Sequence, residues 1–540
     1  MGRALVVVLV LNVLESFVFF QGCSGMFSQV FQDDLKSIEP LVPLLFQMIT
    51  NSAGRLVYPF AGFLADAYLT RGRVIHLIRA NTDMPVFYVL QVTTFVIFCF
   101  GMGSFEANVI PFGADQLQGV SSEEESAYFY WYYWTRQLGN FLGIMSICAV
   151  QFEKSQLKES MEPLIGSIAI TLGIVTYMIY NKSLLSAGPP RNPLKLVVSV
   201  IFYAATLKRG APLHRRAFRY GEEKKGRMEL AKKEFDGKFE SEEVEDVKTF
   251  YRILMMFLPM GIFYIVYYGL FVTINYEAAQ LCIQLYQPQN AALQYIIQNL
   301  VGFLDPFLLL FIIPLINFVA PHFLCFMSMS LRFRVGVGYL VILMAAVSLI
   351  FTEGLPIPGH GHLLCLLLPL MLLVVAEALS VISALEFIYA QSPEQMRGLL
   401  TGLFYLMMGI FMCTGSLTVF LVQHPNLQSL TNGIKPSFIL SLIFASIALL
   451  GFVFYVAIAS IYKNRQRPGS DEENLQIHTN RDRTDPNYRD WSKYQAKSIK
   501  LGMNRFSTLF SQKAEASMDM HCNHAFKKVD NLIYQMGNVN

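Results

Sequence analysis

Charge is scarce in this chain of 540 residues: only 15% are Asp, Glu, Lys or Arg, while 54% are apolar. A soluble globular protein carries about a quarter of its residues charged. Intrinsic disorder is excluded for the bulk of the chain, because disorder needs the opposite balance. Neither sign of charge dominates. The 42 Lys and Arg against 39 Asp and Glu leave a formal +3, which excludes a strongly basic nucleic-acid binder. Cysteine is thin and unpaired. The eight, from Cys23 to Cys522, form no CxxC and no repeated spacing, so no disulfide framework is indicated. Most lie in apolar runs and read as small buried hydrophobes. His360-Gly-His362 reads as loop, and His521 with His524 lies in a polar tail; neither spacing makes a metal site. There is no glycine-rich nucleotide loop, catalytic triad or zinc motif, so neither enzyme chemistry nor a cofactor is expected.

What the chain does have is long uncharged runs. A helix needs about 20 mostly apolar residues to cross a bilayer. Runs of that kind lie near 4–20, 41–64, 84–110, 127–150, 164–180, 249–274, 292–318, 335–351, 363–384, 399–422 and 437–462. Backbone amides in lipid must be satisfied within their own segment, so these runs are predicted to be helices of an all-α polytopic membrane protein. The first run carries Asn12 and Glu15 and lacks a clear small-residue cleavage site, so it does not read as a cleavable signal. Two polar regions interrupt the pattern: a linker over 182–248 and a tail over 463–540, the latter expected to be mostly disordered. Within the linker, 194–206 is apolar but too short to span and is expected to lie in the interface.

Sixteen Lys and Arg fall within 182–252, and none between Tyr276 and Leu331 or between Ile342 and Met396. By the positive-inside rule the linker and tail are cytosolic, with six spans between them. Arg71, Arg73 and Arg79 also read as cytosolic, yet only three spans separate them from the linker, and an odd number cannot return the chain to the same side. The stretch 74–83 is far too short to cross.

Several motifs carry a resemblance. Gly62-Phe-Leu-Ala-Asp66-Ala-Tyr-Leu-Thr-Arg71-Gly-Arg73 is similar to the "GGWLADAYLGRYR" loop of the proton-coupled oligopeptide transporter family, solute carrier 15. Phe112-Gly113-Ala-Asp115-Gln116 resembles that family's "FGADQ", and the run Tyr128 to Gly139 resembles "FFNWFYWSINLG". Glu377, Leu385-Glu386-Phe387 and Pro393 to Met396 resemble "E…LEFxYxxAPxxM". Phe19-Phe20 and the segment Phe239 to Lys248 suggest the peptide/histidine branch. The resemblance implies a major-facilitator fold of twelve spans in two six-helix bundles. Its third span would follow Arg73 directly, so the parity failure reads as loss of that span. The organisation expected is then an incomplete N-terminal bundle (1–181), the linker, a C-terminal bundle (249–462) and the tail.

The implied activity is proton-coupled symport of di- or tripeptides or histidine by alternating access. Its partners would be lipid, protons and a peptide or amino acid, with a cytosolic adaptor conceivable at the linker or tail. The membrane would be endolysosomal or plasma, with both termini cytosolic. Glu377 matches the family glutamate that binds the substrate amino group. Tyr264, Tyr267, Gln137 and Asp305 fall near substrate-facing positions, although aromatic spacing of this kind also suits packing. Glu15 matches one glutamate of "ExxER", whose other glutamate and arginine are absent here. Glu106 stands where the family has lysine in "GxxKxN". Arg55 and Arg136 are unusual cations within spans, and one of them pairing with Glu15 or Glu106 would rebuild a charge network. Two alternatives remain open at the level of sequence: a transport-inactive scaffold or sensor, and a non-functional product lacking one span.

Overall fold

The computed structural model describes residues 3–20, 88–117, 122–152, 158–180, 184, 192–206, 228–235, 237–287, 293, 296–297, 299–318, 330–355, 359–423 and 434–462. Those residues are almost wholly helical. In chain order the helices are α1 (Arg3–Phe20), α2 (Tyr88–Asp115), α3 (Ser122–Gln151), α4 (Lys158–Tyr180), α5 (Pro193–Thr206) and α6 (Ser241–Tyr286). They continue as α7 (Leu300–Phe318), α8 (Leu331–Gly354), α9 (Gly359–Gln391), α10 (Arg397–Gln423) and α11 (Pro436–Ile461). The runs 4–20, 127–150, 164–180, 249–274, 335–351, 363–384 and 399–422 each lie in one of these helices, 84–110, 292–318 and 437–462 overlap α2, α7 and α11 in part, and 41–64 falls outside the described residues. Arg55, Gly62, Asp66, Arg71, Arg73 and the stretch 74–83 fall outside them too. By length and composition α6 to α11 are each able to cross a membrane.

The longest helix shows why the spans form where they do. At 46 residues, α6 is about 69 Å long at ~1.5 Å per residue, more than twice the ~30 Å hydrocarbon core. Its first turns are therefore outside lipid, and their composition fits that. Glu240 and Glu243 form a reciprocal capping box, and Glu242 and Glu243 place negative charge against the positive end of the helix dipole. At the far end Gln287 adopts a left-handed conformation (φ 40°) and its N–H bonds to the Ile283 carbonyl, closing the last turn. The end of the linker folds back on this N-terminal extension. Lys232 Nζ lies 2.7 Å from Glu229 and 2.8 Å from Glu245, and Lys248 bonds the same two carboxylates. Partial burial would raise the Glu229 pKa, but the bonds from Lys232 and Lys248 outweigh it and hold the carboxyl below its usual range.

Helix α5 buries Pro193, Val197, Val200 and Ala204 against the protein and leaves Leu194, Val198 and Phe202 exposed. The helix therefore presents an apolar outer face as well as a buried one. Close packing is set by small residues. A Cβ on Gly139 would meet the Val13 carbonyl oxygen at 2.4 Å and the Ser16 Cβ at 2.7 Å, so glycine lets α3 touch the backbone of α1. Asn12 fixes the same crossing, donating to the Tyr132 carbonyl and to Thr135 Oγ1, both at 2.9 Å. A Cβ on Gly415 would sit 2.4 Å from the Ile265 carbonyl oxygen, joining α10 to α6 in the same manner.

One expectation is corrected. His360 and His362 are not in a loop but in the first turn of α9, where His362 is buried beside Glu353 (3.2 Å). Asp305 lies inside α7, which also holds Pro306 and Pro314 within it.

Candidate functional site

Half-way along α9, Glu377 is buried among residues from three other helices. From α3, Tyr133 donates to Oε1, and Gln137 Nε2 reaches the same oxygen at 3.5 Å. From α6, the Tyr267 hydroxyl donates to Oε2 at 2.5 Å. From α7, Asp305 lies near enough to Glu377 and Tyr267 to interact electrostatically with both. Glu377, Gln137, Tyr267 and Asp305 thus come together as one cluster between the N-terminal and C-terminal helices. Tyr133 and Gln137 are four residues apart and share a helix face, which puts both on one carboxylate.

Tyr264 is placed differently. It is buried one turn away, with its ring edge-on to Phe263 and to Phe404, so it packs rather than joining the Glu377 carboxylate. The phenylalanine stack around Tyr267, with Phe263 at 6.2 Å and Phe271 at 6.4 Å between centroids, holds that hydroxyl in line with Glu377.

The second cluster surrounds Arg136. Its Nη2 lies 2.5 Å from Glu106 Oε1 on α2, and its Nη1 donates to the Tyr405 hydroxyl on α10 at 3.3 Å. Glu106 is 2% exposed and Arg136 9%. Glu15, on α1, is 1% exposed and accepts a bond from Ser16 at 3.3 Å. Tyr132 lies within electrostatic reach of Arg136, Glu106 and Glu15 alike, so the three charges gather around one tyrosine. Of the two cations proposed to pair with these carboxylates, Arg136 does so with Glu106.

A third group joins the helices at one end of the bundle. Phe257 meets Phe404, Gly261 meets Met407 and Phe411, and Ile265 meets Gly415, so α6 and α10 run parallel. Arg397 at the start of α10 is therefore at the end from which the linker enters α6. There Arg397 Nη1 lies 2.9 Å from Asp115 Oδ1, and the Tyr389 hydroxyl donates to the same oxygen at 3.2 Å. The guanidinium also sits 4.1 Å from the Tyr389 ring centroid, a cation–π contact. Arg334 of α8 pairs with Glu386 at 3.3 Å and donates to the Tyr130 hydroxyl at 3.4 Å. The Phe112–Gln116 motif ends α2 at this junction. Phe112 is buried, Gln116 bonds back to the Phe112 carbonyl at 3.1 Å, and a Cβ on Gly113 would collide with the Tyr128 ring. Tyr133, Tyr405, Arg334 and Arg397 were not predicted from the sequence. Only Tyr133 had a local signal, its one-turn spacing from Gln137.

A sequence model described as the POT family matches residues 65–435. The chain belongs to the POT family. Members of this family are transporters rather than enzymes, and this POT family chain is a multi-pass membrane protein of the major-facilitator fold. It is 27% identical over 195 residues to Solute carrier family 15 member 5 of Homo sapiens, covering 36% of this chain and 32% of the human protein. It is 23% identical over 364 residues to Protein NRT1/ PTR FAMILY 2.9 of Arabidopsis thaliana, covering 58% of this chain and 61% of that one. The aligned part therefore spans less than two thirds of both of these relatives. In fold it resembles the crystal structure of an auto-inhibited POT family peptide transporter, with a TM-score of 0.63 and 19% identity over 87% of this chain and 99% of that one. It also resembles the POT family transporter PepTSo, with a TM-score of 0.62 and 17% identity over 86% of this chain and 98% of that one.

Proposed function

We propose that this POT family chain is a proton-coupled symporter that moves di- or tripeptides, histidine or both by alternating access. The observation that carries the reading is Glu377. A carboxyl buried half-way along a span is costly unless it is partnered, and this one is partnered by hydroxyls, an amide and a second carboxyl drawn from helices of both halves. Such groups can exchange bonds with a substrate amine when the halves separate. Asp305, Gln137 and Tyr267 share the substrate role. Tyr264 shapes the wall. Glu15 and Glu106, gathered around Tyr132 with Arg136, form the proton-responsive part, with Arg55 as a further cation.

The N-terminal bundle (1–181), linker (182–248), C-terminal bundle (249–462) and tail (463–540) would work as rocking halves joined by a cytosolic strap. Both termini would be cytosolic, and the membrane endolysosomal or plasma. A cytosolic adaptor would have the linker or tail to bind. Reconstitution in liposomes with labelled histidine and a labelled dipeptide tests the reading. Uptake should require an inward proton gradient and should fall roughly a hundredfold in Glu377→Gln, as expected for losing charge-assisted bonds of about 1.5–3 kcal/mol. A correctly inserted protein with no uptake would favour the scaffold or sensor alternative. Poor insertion cured by adding a span after Arg73 would favour the product lacking one span.

A further inference from the structure

We infer that Trp134 is a positioning residue: its indole N–H replaces a backbone donor that Pro314 cannot supply, and it fastens α7 to α3 as the fixed edge of the alternating movement. This rests on the alternating-access reading above and says which edge between the halves stays shut. Helix α7 holds two prolines within it. A proline inside a helix has no N–H, so the carbonyl four residues before it loses its helical donor. For Pro314 that carbonyl belongs to Leu310. In a span no water replaces the missing donor, and a neighbouring group has to satisfy the freed carbonyl. Trp134 of α3 does so, with Nε1 donating to the Leu310 carbonyl oxygen at 3.0 Å. An indole has this single N–H and no acceptor, so the bond uses all of its polar capacity. Trp131, one turn earlier on α3, meets the Trp134 ring edge-on at 5.8 Å between centroids.

The seam continues past that bond. Phe141, about two turns further along α3, lies 5.4 Å from the Phe303 ring and 5.6 Å from the Phe307 ring between centroids. Phe303, Phe307, Leu310 and Pro314 are spaced by three and four residues and share one face of α7. Asp305 lies on the opposite face, in line with the buried Leu309, Ile312 and Ile316. Helix α7 thus brings Asp305 to Glu377 on one side and is joined to α3 on the other, while Tyr133 and Gln137 bring α3 itself to Glu377. The seam sets how these contributions stand relative to one another. It also resists opening. The Leu310 carbonyl sits near the middle of α7 and has no helical donor to return to, so parting α3 from α7 would leave it bare in lipid. The halves therefore turn about this edge and separate elsewhere.

Two readouts test this on the full chain: the melting temperature in detergent, and uptake of labelled alanyl-alanine and histidine into proteoliposomes under an inward proton gradient. Trp134→Phe keeps a ring but removes the donor. Its melting temperature should fall and its maximal uptake rate should drop about tenfold, the scale of one buried group left unsatisfied. Pro314→Ala gives the Leu310 carbonyl a helical donor again. In the double variant the melting temperature should therefore recover, while the maximal rate stays about tenfold down, because the carbonyl is satisfied but the seam is no longer held. A double variant that regains the full rate would mean that the bond serves stability alone. A Trp134→Phe protein with unchanged melting and rate would mean that the bond carries nothing. Either result overturns the inference and leaves the transporter reading standing. Phe141→Cys combined with Phe303→Cys tests the seam without altering Trp134, with the singly substituted proteins as controls for the native cysteines. Bridging the pair with a short bis-thiol reagent should leave the uptake rate unchanged; loss of uptake on bridging would show that the seam opens and would overturn the inference. Absence of proton-driven uptake by the unmodified chain overturns both readings.

Discussion

Two regions bury charge between the halves of this protein, and they do so in opposite ways. At the linker end, Asp115 faces Arg397 and Glu386 faces Arg334, so each carboxylate meets a guanidinium. Around Glu377, a carboxyl meets hydroxyls, an amide and another carboxyl. The first arrangement is self-sufficient. Opposite charges at contact distance satisfy each other, and separating them leaves two buried ions, so it acts as a latch. The second holds no ion pair of its own among the described residues. Similar burial thus yields a lock in one place and an acidic cluster in the other, and the partner groups make the difference. Arg136 and Glu106 lie between the extremes, as a buried ion pair near that cluster.

Substitutions can sharpen or erase that contrast. The largest effect should come from Glu377→Gln, with uptake reduced roughly a hundredfold and folding intact, because the amide oxygen still accepts from one of the two tyrosines while its NH2 can donate to the hydroxyl oxygen of the other. Next is Glu106→Gln, which strands a buried guanidinium. Removing one member of a buried pair costs about 3–5 kcal/mol, so the melting temperature should drop sharply; an unchanged one would mean that Arg136 finds another partner. Asp115→Asn should cost less, about 1–3 kcal/mol, because the Tyr389 ring still holds Arg397. Its signature would be easier opening of the linker end, read as faster cysteine labelling of sites on α2 and α10. Replacing Gly139 with leucine tests the scaffold beneath both regions. Overpacking against the α1 backbone should cost about 1–3 kcal/mol, measured by thermal unfolding in detergent.

The smallest effect belongs to the linker. Glu229→Gln should change stability by less than about 1 kcal/mol, since partly exposed pairs contribute little. Its pH dependence has a definite sign. The Glu229 carboxyl is held below its ordinary range, so its contribution is complete above that range and disappears as pH falls through the lowered value. Lys232 is displaced upward: burial alone would lower it, but its bonds to Glu229 and Glu245 prevail, so its contribution persists through neutral pH and is lost only in strong alkali. Proteolysis of the linker should therefore accelerate in acid and not between pH 6 and 9, where neither group titrates; acceleration in that window would show that other groups hold the segment (roughly the range between the two ordinary values).

How far the sequence reaches can be judged from particular residues. The helices were legible because apolar runs of span length admit one backbone solution in lipid, and every run that the described residues reach overlaps a helix. Ends were less legible. The α6 helix continues well beyond 249–274 at both sides, because capping and linker contacts, rather than hydropathy, support its outer turns. His362 was misplaced into a loop because its partner Glu353, nine residues away on another helix, is what makes burial tolerable. Glu377 was identifiable as a lone charge in an apolar run, and Arg136 as an unusual cation in another one. Tyr264 and Tyr267 could not be separated by spacing. A three-residue step on one helix turned one toward Glu377 and the other into the Phe263–Phe404 packing.

The amino-acid sequence by itself determined that this chain spans a membrane as helices, and which few charges must enter it, since lipid offers neither water nor ions to satisfy them. The tertiary structure decided which of those charges neutralise each other. Glu106 and Glu377 are both acidic residues in apolar runs, alike on the page. Only helix packing gave Arg136 to the first and left the second with Asp305, because an ion pair depends on distances of a few ångströms between elements that are remote in the chain.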